Sequence, residues 1–99
     1  MPERFEIRIK KPARRVIERL DPSVKSRIRK ALETLGDTPY LGKPLSGPLA
    51  GYWSYRVGHY RIIYRIIEAK LVIIVFGVGH RQDVYSSLRS VARKLRRED

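Results

Sequence analysis

Two arginines opposed across a β-hairpin are the residues best placed to do chemistry in this sequence. The stretch Tyr52-Trp53-Ser54-Tyr55-Arg56-Val57-Gly58-His59-Tyr60-Arg61-Ile62-Ile63-Tyr64-Arg65 reads as two strands joined by a two-residue turn at Gly58-His59. Glycine at the first central position suits a type II′ turn. That turn sets Val57 against Tyr60, Arg56 against Arg61, Ser54 against Ile63, Trp53 against Tyr64 and Tyr52 against Arg65. Side chains alternate across a strand. One face therefore carries Trp53, Tyr55, Val57, Tyr60, Ile62, Tyr64 and Ile66 and is a core face. The other carries Tyr52, Ser54, Arg56, Arg61, Ile63 and Arg65. Like charges directly opposed in a sheet cost a few tenths to about 1 kcal/mol. The pair points to a polyanion bound at this face.

The charge balance agrees. The chain has 22 Lys+Arg against 10 Asp+Glu, a net charge of +12, which favours a nucleic acid, an anionic membrane or an acidic protein as partner. Its 99 residues suit one compact domain, 1–99, with a single core. No apolar run reaches the roughly 20 residues needed to span a bilayer, and Met1-Pro2-Glu3-Arg4 has no apolar stretch of the secretory kind. Zero cysteines and two histidines remove thiolate chemistry, disulfides and Cys- or His-rich metal sites. The expected setting is cytoplasmic, without metal or cofactor and without a membrane partner.

Several elements must position the hairpin. Phe5-Glu6-Ile7-Arg8-Ile9-Lys10 alternates and reads as a half-exposed strand. Ala13, Val16, Ile17 and Leu20 recur at helical spacing, with Pro12 in the first turn. Asp21-Pro22 predicts a second helix capped by Asp21, with an apolar stripe of Val24, Ile28, Ala31, Leu32 and Leu35, ended by Gly36 as its C′ residue. The two helices should form an antiparallel hairpin. Residues 37–51, rich in Gly and Pro, read as a long loop. Leu71–Phe76 is a β-branched run expected as a central strand apolar on both sides. His80 and Arg81 follow at its end, and a last helix is expected from Asp83 or Val84. The predicted order is β-α-α-β-β-β-α: an α+β fold with an antiparallel sheet, the N-terminal helical hairpin packed on one face and a short C-terminal helix.

This order resembles the RelE/ParE superfamily of bacterial and archaeal toxins. The resemblance rests on Lys43-Pro44-Leu45-Ser46-Gly47 before the hairpin, Tyr55-Arg56-Val57-Gly58-His59-Tyr60-Arg61-Ile62-Ile63-Tyr64 within it, and Val78-Gly79-His80-Arg81-Gln82-Asp83-Val84-Tyr85 after it. It implies the toxin of a type II toxin–antitoxin pair. RelE-like members cleave mRNA in the ribosomal A site through the RNA's own 2′-hydroxyl, a reaction that needs no metal. It needs a base, an acid and cations around the phosphate.

By the same resemblance, Arg56, Arg61, Arg81 and Tyr85 are the catalytic candidates. Ser54 and Arg56 stand where the best-known bacterial enzyme has lysines. Arginine is not deprotonated in proteins, so His80 enters as a candidate base. Ser54, Arg65 and the basic helix residues Lys25, Arg29, Arg89 and Arg93 are candidate RNA-binding residues. The implied partners are the ribosome with its A-site mRNA and an acidic RelB-like antitoxin, in a toxin–antitoxin heterotetramer. Two other readings stand beside this one: a ParE-like, non-enzymatic inhibitor of DNA gyrase, and an inert basic RNA- or ribosome-binding module. For the single residues, the bland alternatives are a solvated basic face for the arginines, a half-buried aromatic for Tyr85 and a surface side chain for His80.

Overall fold

A computed structural model describes residues 3–80 and Val84. Strand β1 (Glu6–Ile9) is followed by helices α1 (Lys11–Arg19) and α2 (Pro22–Asp37), then by strands β2 (Lys43–Pro44), β3 (Trp53–Val57), β4 (Tyr60–Ile67) and β5 (Val72–His80). The five strands form one sheet in the order β1-β5-β4-β3-β2. The architecture is α+β, as expected. The sheet is mixed rather than antiparallel, because β1 pairs with β5 in parallel. The helical hairpin carries the chain from β1 to the far edge, and three antiparallel steps bring β5 back beside β1 in the same direction. Alternation within β1 had shown that it was a strand but not which strand it would meet.

The hairpin has the expected register. Trp53 pairs with Tyr64, Ser54 with Ile63, Arg56 with Arg61 and Val57 with Tyr60. Gly58 takes φ +60° while His59 stays out of the left-handed region, as a type II′ turn requires. The core face meets the helices: Ile62, Tyr64, Ile73, Val75 and Val78 pack against Ala13, Ile28, Ala31, Leu32 and Leu35, with Trp53, Tyr55, Val57, Tyr60 and Ile66 alongside.

Two local readings are corrected. Gly36 lies inside α2, which runs on to Asp37; its carbonyl accepts the Phe5 amide at 2.9 Å. A Cβ there would stand 3.3 Å from the Phe5 carbonyl oxygen, so the glycine serves close approach rather than helix ending. Leu71 is not in the last strand: it takes φ +53° in the turn closing Glu68–Lys70, and β5 begins at Val72. The predicted C-terminal helix lies outside the described residues apart from Val84.

The opposite sheet face is also covered in part. Leu49 from the 37–51 segment, Tyr52, Ile63, Phe76 and Val84 form a second, smaller cluster, with Tyr52 and Phe76 edge to face at 5.2 Å. The segment read as a plain loop thus folds two short 3-10 turns, Pro39–Leu41 and Gly47–Leu49, around β2, and its Leu45 and Leu49 cover part of this face.

Candidate nucleic-acid interface

The candidate site is the part of that second face that carries Arg56 and Arg61. Its rows follow from strand register. One row runs Lys43, Ser54, Ile63 and Gly77 across β2, β3, β4 and β5; the next, nearer the hairpin tip, runs Arg56, Arg61 and Gly79. Arg56 is exposed and Arg61 half-buried. The Arg56 Nε donates to the Gly58 carbonyl at 3.1 Å, which leaves its terminal nitrogens for another acceptor. Among the described residues the ion pairs are Arg4–Asp37 and Arg8–Glu6; the second lies on this sheet face but at its β1 edge, two strands away from Arg61 and beside Val72 and Ile74. The repulsion between Arg56 and Arg61 is thus not offset by a described carboxylate.

An extra residue in β5 shapes the floor. The β4–β5 ladder steps from Ile63 opposite Gly77 to Tyr64 opposite Val75, leaving Phe76 unpaired as a β-bulge. The bulge inverts the alternation of everything after it. Gly77 and Gly79 come onto the Arg61 face, and Val78 and His80 go to the helix face. Without side chains, the two glycines leave a trough along β5, and Val84 lies in it. A Cβ on Gly77 would stand 3.0 Å from the Val84 Cγ2, and Val84 is 4% exposed.

The same inversion removes His80 from the arginine face. His80 pairs with Tyr60 and its ring lies 4.6 Å from the Tyr60 ring, so it is not gathered with Arg56 and Arg61. Ser54 is on their face but only 4% exposed, a floor residue rather than a surface contact. Arg65 is exposed at the far end of the face and sits over the Tyr52 ring, 5.6 Å from its centroid. Lys25 and Arg29 belong to α2, on the other side of the sheet; the Lys25 Nζ donates to the Glu18 carbonyl at 3.2 Å and so ties the two helices together. Arg81, Tyr85, Arg89 and Arg93 lie outside the described residues.

Sequence reading missed Arg27. Its guanidinium reaches the hairpin tip, where a Cβ on Gly58 would stand 3.5 Å from one of its nitrogens. Helical phase placed Arg27 off the apolar stripe but gave no hint of that neighbour.

Tyr64 fastens β2 to the site. Its buried hydroxyl donates to the Pro39 carbonyl at 2.7 Å and accepts the Gly42 amide at 3.1 Å. Burial pushes this hydroxyl up from 10.0 to about 12, the Gly42 amide works against the rise, and nearby Tyr55 adds to it. The phenolate cannot donate to Pro39, so the folded chain keeps the proton where the unfolded chain has released it. The resulting stabilisation is complete below pH 10 and is lost as pH rises towards about 12. The expected outcome is a fall in urea midpoint over that window. Tyr64→Phe should lose this component and cost about 1–3 kcal/mol at neutral pH for the orphaned amide and carbonyl. Parallel pH profiles for the two proteins would contradict the assignment.

Residues 7–85 match the family model described as the ParE toxin of the type II toxin–antitoxin system parDE. The chain belongs to the RelE/ParE superfamily of type II toxins. It is 35% identical to Toxin RelG of Mycobacterium tuberculosis over 83 residues, covering 82% of this chain and 95% of that protein. It is also 34% identical to Toxin YoeB of Streptomyces coelicolor over 59 residues, 54% of this chain and 70% of that one. Among solved structures, the RelBE2 toxin–antitoxin complex of Mycobacterium tuberculosis aligns with TM-score 0.74 and 32% identity over 79% of this chain and 92% of that one. The isolated Escherichia coli RelE toxin aligns with TM-score 0.67 over 90% and 97%, at 24% identity, and so shares the fold.

Proposed function

We propose that this RelE-like toxin is a ribosome-dependent endoribonuclease that cuts mRNA in the A site and thereby stops translation. The observation that carries the reading is the Arg56–Arg61 pair, two opposed guanidinium groups held on an open sheet face with no ion-pair partner among the described residues. In the proposed reaction the RNA 2′-oxygen bonds to the adjacent phosphorus as the bond to the 5′-oxygen breaks. The products are a 2′,3′-cyclic phosphate and a 5′-hydroxyl. Negative charge gathers on the phosphoryl oxygens and the leaving oxygen, where Arg56 and Arg61 stabilise it; fixed cations in a partly water-excluded site act most strongly there.

The described part of the arginine face carries no His or Asp, its Glu6 lies at the β1 edge paired with Arg8, and His80 points away from it, so we do not assign His80 as the base. Following the resemblance, Tyr85 orients a splayed base and Arg81 attends the leaving oxygen. Val84, the residue before Tyr85, is buried against the glycine trough beside Arg61, which favours this arrangement. Arg29, Arg89 and Arg93 are proposed as footing on ribosomal RNA or on an acidic RelB-like antitoxin in the cytoplasm. The solved RelBE2 toxin–antitoxin complex favours such a partner.

A gyrase-inhibiting role is the second reading, favoured by the ParE description of the matching family model. One pair of assays separates the two. Ribosomes programmed with a defined message should yield a cut in the A-site codon, and a 2′-deoxy nucleotide before the scissile phosphate should block it. Gyrase supercoiling should proceed unhindered. Cleavage of the 2′-deoxy message would rule out the 2′-hydroxyl as nucleophile, and loss of supercoiling with an intact message would favour the ParE-like role.

A further inference from the structure

We propose that Lys43, on the edge strand β2, is a further RNA-binding residue that holds the phosphate next to the one gripped by Arg56 and Arg61. The proposal rests on the nuclease reading above and extends its binding surface. Sequence reading saw Lys43 only as part of a family motif within the loop 37–51. The structure pairs it directly with Ser54 in the antiparallel β2–β3 ladder, and paired residues project from the same face. Ser54 alternates with Arg56 along β3 and lies opposite Ile63. Lys43 is therefore on the arginine face, one strand outward and two residues back from Arg56. With about 3.4 Å per residue along a strand and about 4.8 Å between strands, its Cα stands about 8 Å from that of Arg56. Successive phosphates of a single strand can span that separation once a long lysine stem is added.

The placement is built rather than incidental. The preceding residue, Gly42, donates its amide to the Tyr64 hydroxyl, which is itself anchored on Pro39. At residue 42 a Cβ would meet that hydroxyl at 2.5 Å and the Ser54 carbonyl oxygen at 2.8 Å. The backbone just before Lys43 is thus pressed onto the sheet, and Pro44 follows with its fixed φ. Lys43 itself is exposed, and no ion pair holds it among the described residues. A lysine bound as a point charge also suits a phosphate that needs attraction rather than a fork. The rival role is an edge guard: lysine and proline on a short edge strand discourage strand pairing between molecules. An edge guard needs any charge, whereas phosphate needs a positive one.

The experiment measures binding of a fluorescent single-stranded RNA oligonucleotide, 2′-O-methylated throughout to prevent cleavage, to the full chain across a salt series. The variants are Lys43→Ala, Lys43→Glu and Lys43→Arg, each checked for folding by circular dichroism. The expected result is that Lys43→Ala lowers the slope of log affinity against log salt by about 0.7, one single-strand phosphate contact. Lys43→Glu should weaken binding about tenfold or more at low salt, and Lys43→Arg should keep the wild-type slope. Equal binding by Lys43→Glu and wild type would overturn the proposal and leave the edge guard. So would failure of Lys43→Arg to restore binding, or the absence of measurable wild-type binding. Cleavage on programmed ribosomes, run in parallel, reports on the nuclease reading separately: RNA affinity lowered by Lys43→Ala and Lys43→Glu, in a protein whose wild type cuts nothing, would keep Lys43 as an RNA contact while removing the reaction.

Discussion

Arg61→Ala should lower the rate of A-site cleavage by about 10²–10³-fold, the loss typical of removing one fixed group that stabilises transition-state charge. The fold should lose nothing. Arg61 contributes no described ion pair, and its removal relieves its opposition to Arg56, so the variant should be as stable as the wild type or more stable by up to about 1 kcal/mol. That combination separates a site residue from a structural one. A core residue such as Ile63, with 0% exposure beside it in β4, would lose stability and activity together. Single-turnover cleavage and urea unfolding on the same preparation read both quantities. An unchanged cleavage rate would remove Arg61 from the site. A stability loss above 1 kcal/mol would show that the pair is held together by something other than its neighbours here.

Gly42→Ala should be among the most damaging single-methyl changes in the chain, costing about 3 kcal/mol, the upper range for overpacking. Backbone strain is not the cause. Gly42 has φ −74°, open to any residue. Space is the cause: the added Cβ falls 2.5 Å from the Tyr64 hydroxyl and 2.8 Å from the Ser54 carbonyl oxygen. The first is a buried group already committed to Pro39, and the second is backbone of the central ladder. Relief requires β2 to lift, which breaks the Gly42–Tyr64 hydrogen bond as well. Gly47→Ala is the contrasting case. Its φ is +61°, but nothing lies within 4 Å, so only the left-handed cost of about 1–2 kcal/mol applies. For a domain of this size, 3 kcal/mol corresponds to a fall in Tm of roughly 12–24 °C. Comparable melting temperatures for Gly42→Ala and the wild type would contradict the clamp.

The hairpin was legible in the sequence because two local rules coincide there. A two-residue turn with glycine first allows one register, and alternation then assigns every side chain to a face. The Arg56–Arg61 opposition and the aromatic core face follow from that alone. Helix starts were legible from Asp21-Pro22 and from Pro12. What escaped was set by contacts distant in sequence. Gly36 looks like a helix end, and only its approach to Phe5 explains it. The parallel pairing of β1 with β5 depends on where the helical hairpin delivers the chain. The most consequential miss is the bulge at Phe76. Strict alternation along β5 puts His80 on the arginine face, and one unpaired residue turns it onto Tyr60 and brings Gly77 and Gly79 to the site instead. Lys43 was hidden for a similar reason, since a two-residue strand between glycine- and proline-rich turns has no pattern of its own.

Opposed arginines on an open sheet face are proposed here to cleave a ribosome-held codon. That cleavage is tested most directly by mapping 5′ ends by primer extension on mRNA held in ribosomes with an empty A site, comparing wild type with Arg61→Ala. The expected result is new ends within the A-site codon for the wild type, reduced at least a hundredfold in the variant. Wild-type protein that leaves the message whole, or a variant that cuts as fast as wild type, would contradict it.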